Sequence, residues 1–211
     1  MNSKMLHWNN VRDWQTVASL LKQDKVLVGA SDTVIGLLAP VTKKGFERLN
    51  HIKQRSGKPY LILVDSPKQA YAFARPHLPR SVQALIDRAW PGPVTLIIPA
   101  HDSLESFITS DLHAVAVRIP NHEGLRAVAK HFRGLFSTSA NRAGDFVPTQ
   151  IKDLNPEIVQ EAAALIDGPI GDAFKKPSTI LDCSGSKIKV VRQGAYPIEE
   201  LEKIAGVMFV G

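Results

Sequence analysis

The sequence predicts an α/β fold: a single domain, residues 1–211, with a twisted, mixed β-sheet flanked by helices. Segments whose apolar residues recur at helical spacing alternate with short apolar runs of strand length, the pattern of helices laid on a sheet. The last two apolar runs are joined by a turn-rich Cys-Ser-Gly-Ser-Lys at 183–187, which suits a hairpin and makes the sheet mixed rather than all parallel. The chain has 211 residues, 44% hydrophobic and 22% charged, which is enough for one core; no Ser/Gly/Pro-rich linker or internal repeat divides it.

The elements follow in order. Asn9 or Asn10 caps a helix whose apolar face is Val11, Trp14, Val17, Leu20 and Leu21. Apolar runs at 26–30 and 34–39 read as strands, 43–54 as a helix burying Phe46, Leu49 and Ile52, and 61–64 as a strand. Residues 79–90 form a helix through Val82, Leu85, Ile86 and Ala89, stopped by Pro91. Strands are expected at 94–98, 115–119 and 134–137, with a helix over 122–132 that turns Leu125, Val128, Ala129 and Phe132 inward. Beyond Asn155 come a helix, a strand at 164–166, the paired strands 178–181 and 188–191, and a last helix over 197–204. Loops at 141–149 and 167–177 are long enough to serve a site.

Several machines are absent from the sequence. Gly57-Lys58 is followed by Pro59, so there is no Walker A loop, and neither G-x-G-x-x-G after a strand nor G-x-S-x-G is present. The seven histidines are scattered without H-x-H or H-E-x-x-H spacing, so no protein-held metal is expected. Cys183, the single cysteine, cannot build a disulfide framework, and Asp182 beside it would raise its pKa and so argues against a nucleophile. The polar opening is no signal peptide and no run is long enough to span a bilayer; a soluble protein of the cytoplasm, without membrane contact, is the expectation. Twenty-six Lys and Arg against twenty Asp and Glu leave +6, which favours a phosphate-bearing ligand or RNA over an acidic protein partner.

Four polar clusters stand at the expected ends of apolar strands, where α/β sheets place ligands. Ser31-Asp32-Thr33 suits a polar ligand and equally a plain turn. Lys53, Arg55 and Lys58 surround Gly57 at a helix exit, where cations both cap the helix and can grip a polyphosphate. Ser137-Thr138-Ser139-Ala140-Asn141 suits phosphate or sugar, or an ST-turn. Arg118 lies inside an apolar strand and must meet an anion or reach out to water, which makes it the strongest site residue on chemistry alone; Ser178, Thr179 and Arg192 are grouped with it. Together they describe an anion-binding protein without a covalent nucleophile.

The segments SDTVIGL at 31–37, KQR at 53–55 with Lys58-Pro59, WPGPVTLII at 90–98, AVRIPNH at 116–122, STSAN at 137–141, PSTILD at 177–182 and VRQGAYPIEEL at 191–201 resemble, in this order, the threonylcarbamoyl-AMP synthases of the short YrdC/TsaC and longer Sua5 types. The resemblance covers about residues 20–205 and implies a YrdC-like fold and the short, single-domain type. It implies an enzyme, an L-threonylcarbamoyladenylate synthase, that joins L-threonine, bicarbonate or CO2, and ATP, releasing pyrophosphate. A transferase complex would then pass the threonylcarbamoyl group to an adenosine of tRNAs reading codons that start with A. By motif position, Lys53 and Arg55 would be catalytic and, with Lys58, would hold the triphosphate and its Mg²⁺. Ser139, Asn141 and Arg192 would complete the ATP site. Thr33, Arg118, Ser137 and Ser178 would hold threonine, Arg118 through the carboxylate. Ala30-Ser31-Asp32-Thr33 stands where the family reads Pro-Thr-Glu-Thr, the Arg55–Lys58 interval is one residue short, and Gln193 replaces a proline. The rival reading is a YrdC-fold paralogue that binds nucleotide, tRNA or double-stranded RNA without this activity, through Lys43, Lys44, Arg48, Lys53, Arg55 and Lys58.

Overall fold

The computed structural model describes residues 4–55, 59–142, 144–168 and 176–211. Ten strands form one sheet: β1 (Lys4–His7), β2 (Leu27–Gly29), β3 (Gly36–Pro40), β4 (Leu61–Leu63), β5 (Val94–Pro99), β6 (Ala114–Arg118), β7 (Leu135–Ser139), β8 (Ala164–Asp167), β9 (Thr179–Asp182) and β10 (Lys189–Arg192). The helices are α1 (Val11–Lys22), α2 (Lys43–Lys53), α3 (Pro67–Tyr71), α4 (Arg80–Ala89), α5 (Glu123–Ala129), α6 (Pro156–Glu161) and α7 (Ile198–Ala205), with a 3₁₀ turn at Ile151–Asp153. The strands lie in the order β1-β8-β2-β3-β7-β4-β6-β5-β9-β10. Parallel and antiparallel pairs both occur, and β9 and β10 form the expected antiparallel hairpin.

Local chemistry explains the helices. Asn10 caps α1 by accepting from the Arg12 amide, and Thr42 caps α2 by accepting from the Gly45 amide while its hydroxyl donates to Asp24. Helix α4 buries Val82, Leu85, Ile86 and Ala89, the stripe its periodicity predicts. Two elements go beyond the sequence reading. Strand β1 turns a single residue, Leu6, inward, too little pattern to read, and forms only because β8 offers a parallel edge. Helix α3 is one short turn capped by Ser66.

The two sheet faces are covered unequally, and this creates the site. On one face α2, α4 and α7 pack Leu49, Ile52, Val82, Leu85 and Leu201 against Ile62, Leu96, Val117, Phe136 and Leu181. On the other, α1 and α5 bring Val17, Leu21, Leu125 and Val128 onto Leu6, Leu27, Leu38, Leu63 and Leu135. That second cover reaches only part of the sheet. From β7 across β4, β6 and β5 to β9 and β10 no helix among the described residues covers the face.

Candidate functional site

Alternation along the strands sets the floor of this open face. Leu61 and Leu63 of β4, Thr95 and Ile97 of β5, Ala116 and Arg118 of β6, and Ser137 and Ser139 of β7 are spaced by two and line one cavity of about 810 Å³. Register lines them up: Leu63 lies opposite Arg118, Leu61 opposite Ser137, Ile97 opposite Ala116, and Thr95 opposite Ile180. The ligand surface is therefore a sheet face rather than the row of strand ends expected from the sequence. Ser137 and Ser139 sit within β7, which continues past the predicted end at 137. Val147, Pro148, Thr149 and Gln150, from the loop after β7, form a wall.

Three arginines line the cavity, Arg55, Arg118 and Arg192, and among the described residues no carboxylate does. Among the described residues, a carboxylate stands behind Arg118. Asp32, 3% exposed, takes Arg118 Nη2 on Oδ1 and the Asn121 amide on Oδ2 at 2.9 Å. Arg118 Nη1 donates to Thr33 Oγ1 at 3.0 Å, and the Ser31 hydroxyl, 3.2 Å from Thr33 Oγ1, accepts from the amides of Thr33 and Val34. The Ser-Asp-Thr turn is thus a cradle for one guanidinium. Burial pushes the Arg118 pKa down, and Asp32 works against that. Its Nε is buried and has no hydrogen-bond partner among the described residues.

Arg192 reaches the same floor from the sheet's edge. Between Val190 and Arg192 the register advances two residues on β10 for one on β9, a bulge that breaks the alternation. Val190 stays packed on the core, while Val191 and Arg192 both line the cavity. Arg192 donates through Nε and Nη2 to the Ser178 carbonyl at 3.1 and 2.9 Å, and Nη2 lies 3.3 Å from Ser178 Oγ. Gly194 fits here because a Cβ would lie 2.2 Å from the Pro177 carbonyl oxygen. Ser178 Oγ and Thr95 Oγ1, both buried, are 2.9 Å apart. Thr179 points away and uses its hydroxyl to hold the turn at Gly194 and Tyr196. Burial lowers the Arg192 pKa, and the charge on Arg118 lowers it further.

At the opposite end of the floor, Arg55 stacks 4.9 Å from the Tyr60 ring centroid and donates to the Pro59 carbonyl at 3.2 Å. Lys53 is close by in sequence but turned inward. It is 3% exposed and does not line the cavity; its ammonium donates to the Ser139 carbonyl at 2.9 Å, the Asn141 carbonyl, and Asn141 Oδ1 at 3.2 Å. Its pKa is lowered to about 8, by burial first and by Arg55 second, with Asp145 opposing. Asn141 is also outside the lining: its Oδ1 accepts from Ser139 Oγ at 2.5 Å, and its Nδ2 donates to the Asp145 carbonyl at 2.6 Å. Lys58 lies outside the described residues.

Thr33, Arg55, Arg118, Ser137, Ser139, Ser178 and Arg192 are thus brought to one cavity from segments far apart in sequence, while Lys53 and Asn141 support its rim. The sequence reading missed Asp32 as the partner of Arg118, and it missed Thr95. A threonine in the middle of VTLII, in step with Ile97, is the signal that could have found the latter. With Lys53 buried, the exposed basic stripe of α2 shrinks to Lys43, Lys44 and Arg48. Cys183 is buried and its pKa pushed up to about 12, by burial first and by Asp182 second. No cluster of three or more metal-ligating side chains occurs among the described residues, and no helix among them is long and apolar enough to cross a membrane.

Fold and site define a class: a mixed α/β protein with an arginine-lined cavity on one face of its sheet. The chain belongs to the Sua5/YciO/YrdC family, whose model, described as "Telomere recombination", matches residues 19–194. A threonylcarbamoyl-AMP synthase of Pyrococcus abyssi is 29% identical over 202 residues, covering 93% of this chain and 58% of that protein. One from Pseudoalteromonas translucida is 30% identical over 183 residues, covering 83% of this chain and 97% of that protein. The crystal structure of P. abyssi Sua5 complexed with L-threonine superposes with a TM-score of 0.85 at 26% identity, covering 100% of this chain and 63% of that one. The chain therefore spans a little under two thirds of the P. abyssi protein and most of the length of the P. translucida relative.

Proposed function

We propose that the chain is an L-threonylcarbamoyladenylate synthase, a nucleotidyltransferase that makes threonylcarbamoyl-AMP and pyrophosphate from L-threonine, bicarbonate or CO2, and ATP. The observation that carries this reading is a single cavity with three arginines and no lining carboxylate among the described residues. Such a cavity suits one carboxylate and one polyphosphate held side by side. The names of the relatives support the same reaction.

Threonine is placed with its carboxylate on Arg118 and its polar groups against Thr33, Ser137 and Ser178. The triphosphate is placed along Arg55 and Lys58, with Ser139 and Arg192 completing the ATP contacts. Lys53 acts from behind, by fixing the Ser139–Asn141 backbone that faces the nucleotide. Mg²⁺ would arrive with ATP and be held through phosphate oxygens, since the described lining has no carboxylate to take it. The threonine amine loses a proton and combines with bicarbonate, expelling water and giving the carbamate. A carbamate oxygen then forms a bond to the α-phosphorus as the bond to the bridging oxygen breaks, and pyrophosphate leaves. No protein nucleophile is needed. Alignment and charge neutralisation supply the acceleration.

We place this work in the cytoplasm, upstream of a transferase complex that passes the group to tRNA. The test is pyrophosphate release by the purified protein with ATP, threonine or bicarbonate omitted in turn. Release should require all three. Release indifferent to threonine and bicarbonate would overturn the reading in favour of a nucleotide- or RNA-binding paralogue.

A further inference from the structure

The floor of the cavity carries a charge that its lining alone does not reveal. Arg118 and Arg192 line the same cavity, and the charge on the first depresses the pKa of the second. Among the described residues Asp32, buried behind the floor, is the carboxylate that faces Arg118. Arg118 therefore meets the cavity already paired with one negative charge.

We propose that Asp32 is a positioning and specificity-determining residue: it fixes Arg118 on the floor and limits the site to a ligand group carrying one negative charge. The inference rests on the reading that Arg118 receives the substrate carboxylate. Both oxygens of Asp32 are committed, one to Arg118 and one to the Asn121 amide, so its carboxylate cannot swing away when a ligand arrives. Asp32 and Thr33 take one N–H each from Nη2 and Nη1; a guanidinium has five, and Nε has no acceptor among the described residues. A carboxylate brought to Arg118 adds a single negative charge to the Asp32–Arg118 pair. A phosphate dianion there would leave excess negative charge beside the buried Asp32, in surroundings too dry to screen it. The same Asp32 that holds Arg118 thereby keeps polyphosphate off the amino-acid end, which a site built from arginines alone would not do.

The test compares wild type with Asp32→Asn and Asp32→Glu by steady-state kinetics, by titration calorimetry with L-threonine, and by competition with inorganic phosphate. In Asp32→Asn the threonine KM should rise by about tenfold or more while the ATP KM stays within about threefold, and phosphate should become a competitor of threonine. Asp32→Glu keeps the charge and should keep rejecting phosphate, with a smaller rise in threonine KM. This variant decides the matter if Asp32→Asn does not fold. A threonine KM unchanged in the variants that fold, or ATP and threonine KM rising together without phosphate competition, would overturn the inference. If wild type binds threonine in an Asp32-dependent manner yet releases no pyrophosphate, the synthase reading fails and the role of Asp32 stands; if wild type binds no threonine, both fall.

Discussion

Arg118 and Arg192 enter one cavity from β6 and from the bulge of β10, 74 positions apart in the chain, and the charge on the first lowers the pKa of the second. Arg118 is buried and Arg192 exposed, and among the described residues no carboxylate lines the cavity they share, so it is built for an anion that comes and goes. Arg118→Ala should abolish threonine dependence. It should also leave Asp32 buried and unpaired, lowering stability by about 3–5 kcal/mol. Thermal unfolding and the threonine KM check the two effects separately, and Arg118→Gln should recover part of the stability without recovering threonine binding.

Thr95 and Ser178 share a buried hydrogen bond at 2.9 Å on the floor. Thr95→Val keeps the shape and removes the hydroxyl, so the Ser178 hydroxyl loses a fixed partner. The expected cost is about 0.5–1.5 kcal/mol, read as a rise of up to about tenfold in threonine KM with little change for ATP.

Lys53 gives a pH signature. Its pKa is lowered in the folded state to about 8 from the ordinary 10.5, so burial disfavours the charged form. Below 8 the lysine is charged in both states and the full penalty is present. Between 8 and 10.5 the unfolded chain binds a proton that the folded protein releases, and this group makes the protein more stable as pH rises. Unfolding in denaturant across this range should show that gain in wild type and lose it in Lys53→Met.

Cys183 is buried with a thiol pKa near 12, and the proposed chemistry does not use it. Cys183→Ala should turn over within about twofold of wild type, and iodoacetamide should leave the native thiol unmodified until the chain unfolds.

Much of the scaffold was legible because its strands and helices bury their apolar sides by period. The stripes of α2 and α4 and the β9–β10 hairpin appear where the spacing puts them, while α1 buries Val17 and Leu21 but leaves Val11, the first residue of its expected face, 62% exposed because it stands at the helix's first turn. Strand β1 was not, since Leu6 alone faces in and only the β8 edge makes the segment a strand. The site was legible in its residues but not in its geometry. A run such as Ser137-Thr138-Ser139 reads as a turn from composition, whereas pairing with β3 and β4 extends β7 through it and turns Ser137 and Ser139 onto the floor. Lys53 looked like a phosphate ligand by its neighbours, and the left-handed Gln54 (φ 48°) that ends α2 leaves it tied to Ser139 and Asn141 instead. Local sequence carries no sign of a partner 86 positions away, and that is the separation of Asp32 from Arg118.

The most direct measurement is mass spectrometry of the adenylate formed when the purified chain is given ATP, L-threonine and ¹³C-bicarbonate. The expected product is AMP joined to a threonine-derived carbamoyl group bearing the label, with formation lost in Arg118→Gln. A folded, ATP-binding protein that forms no labelled adenylate, or an adenylate that lacks threonine, would contradict the assignment.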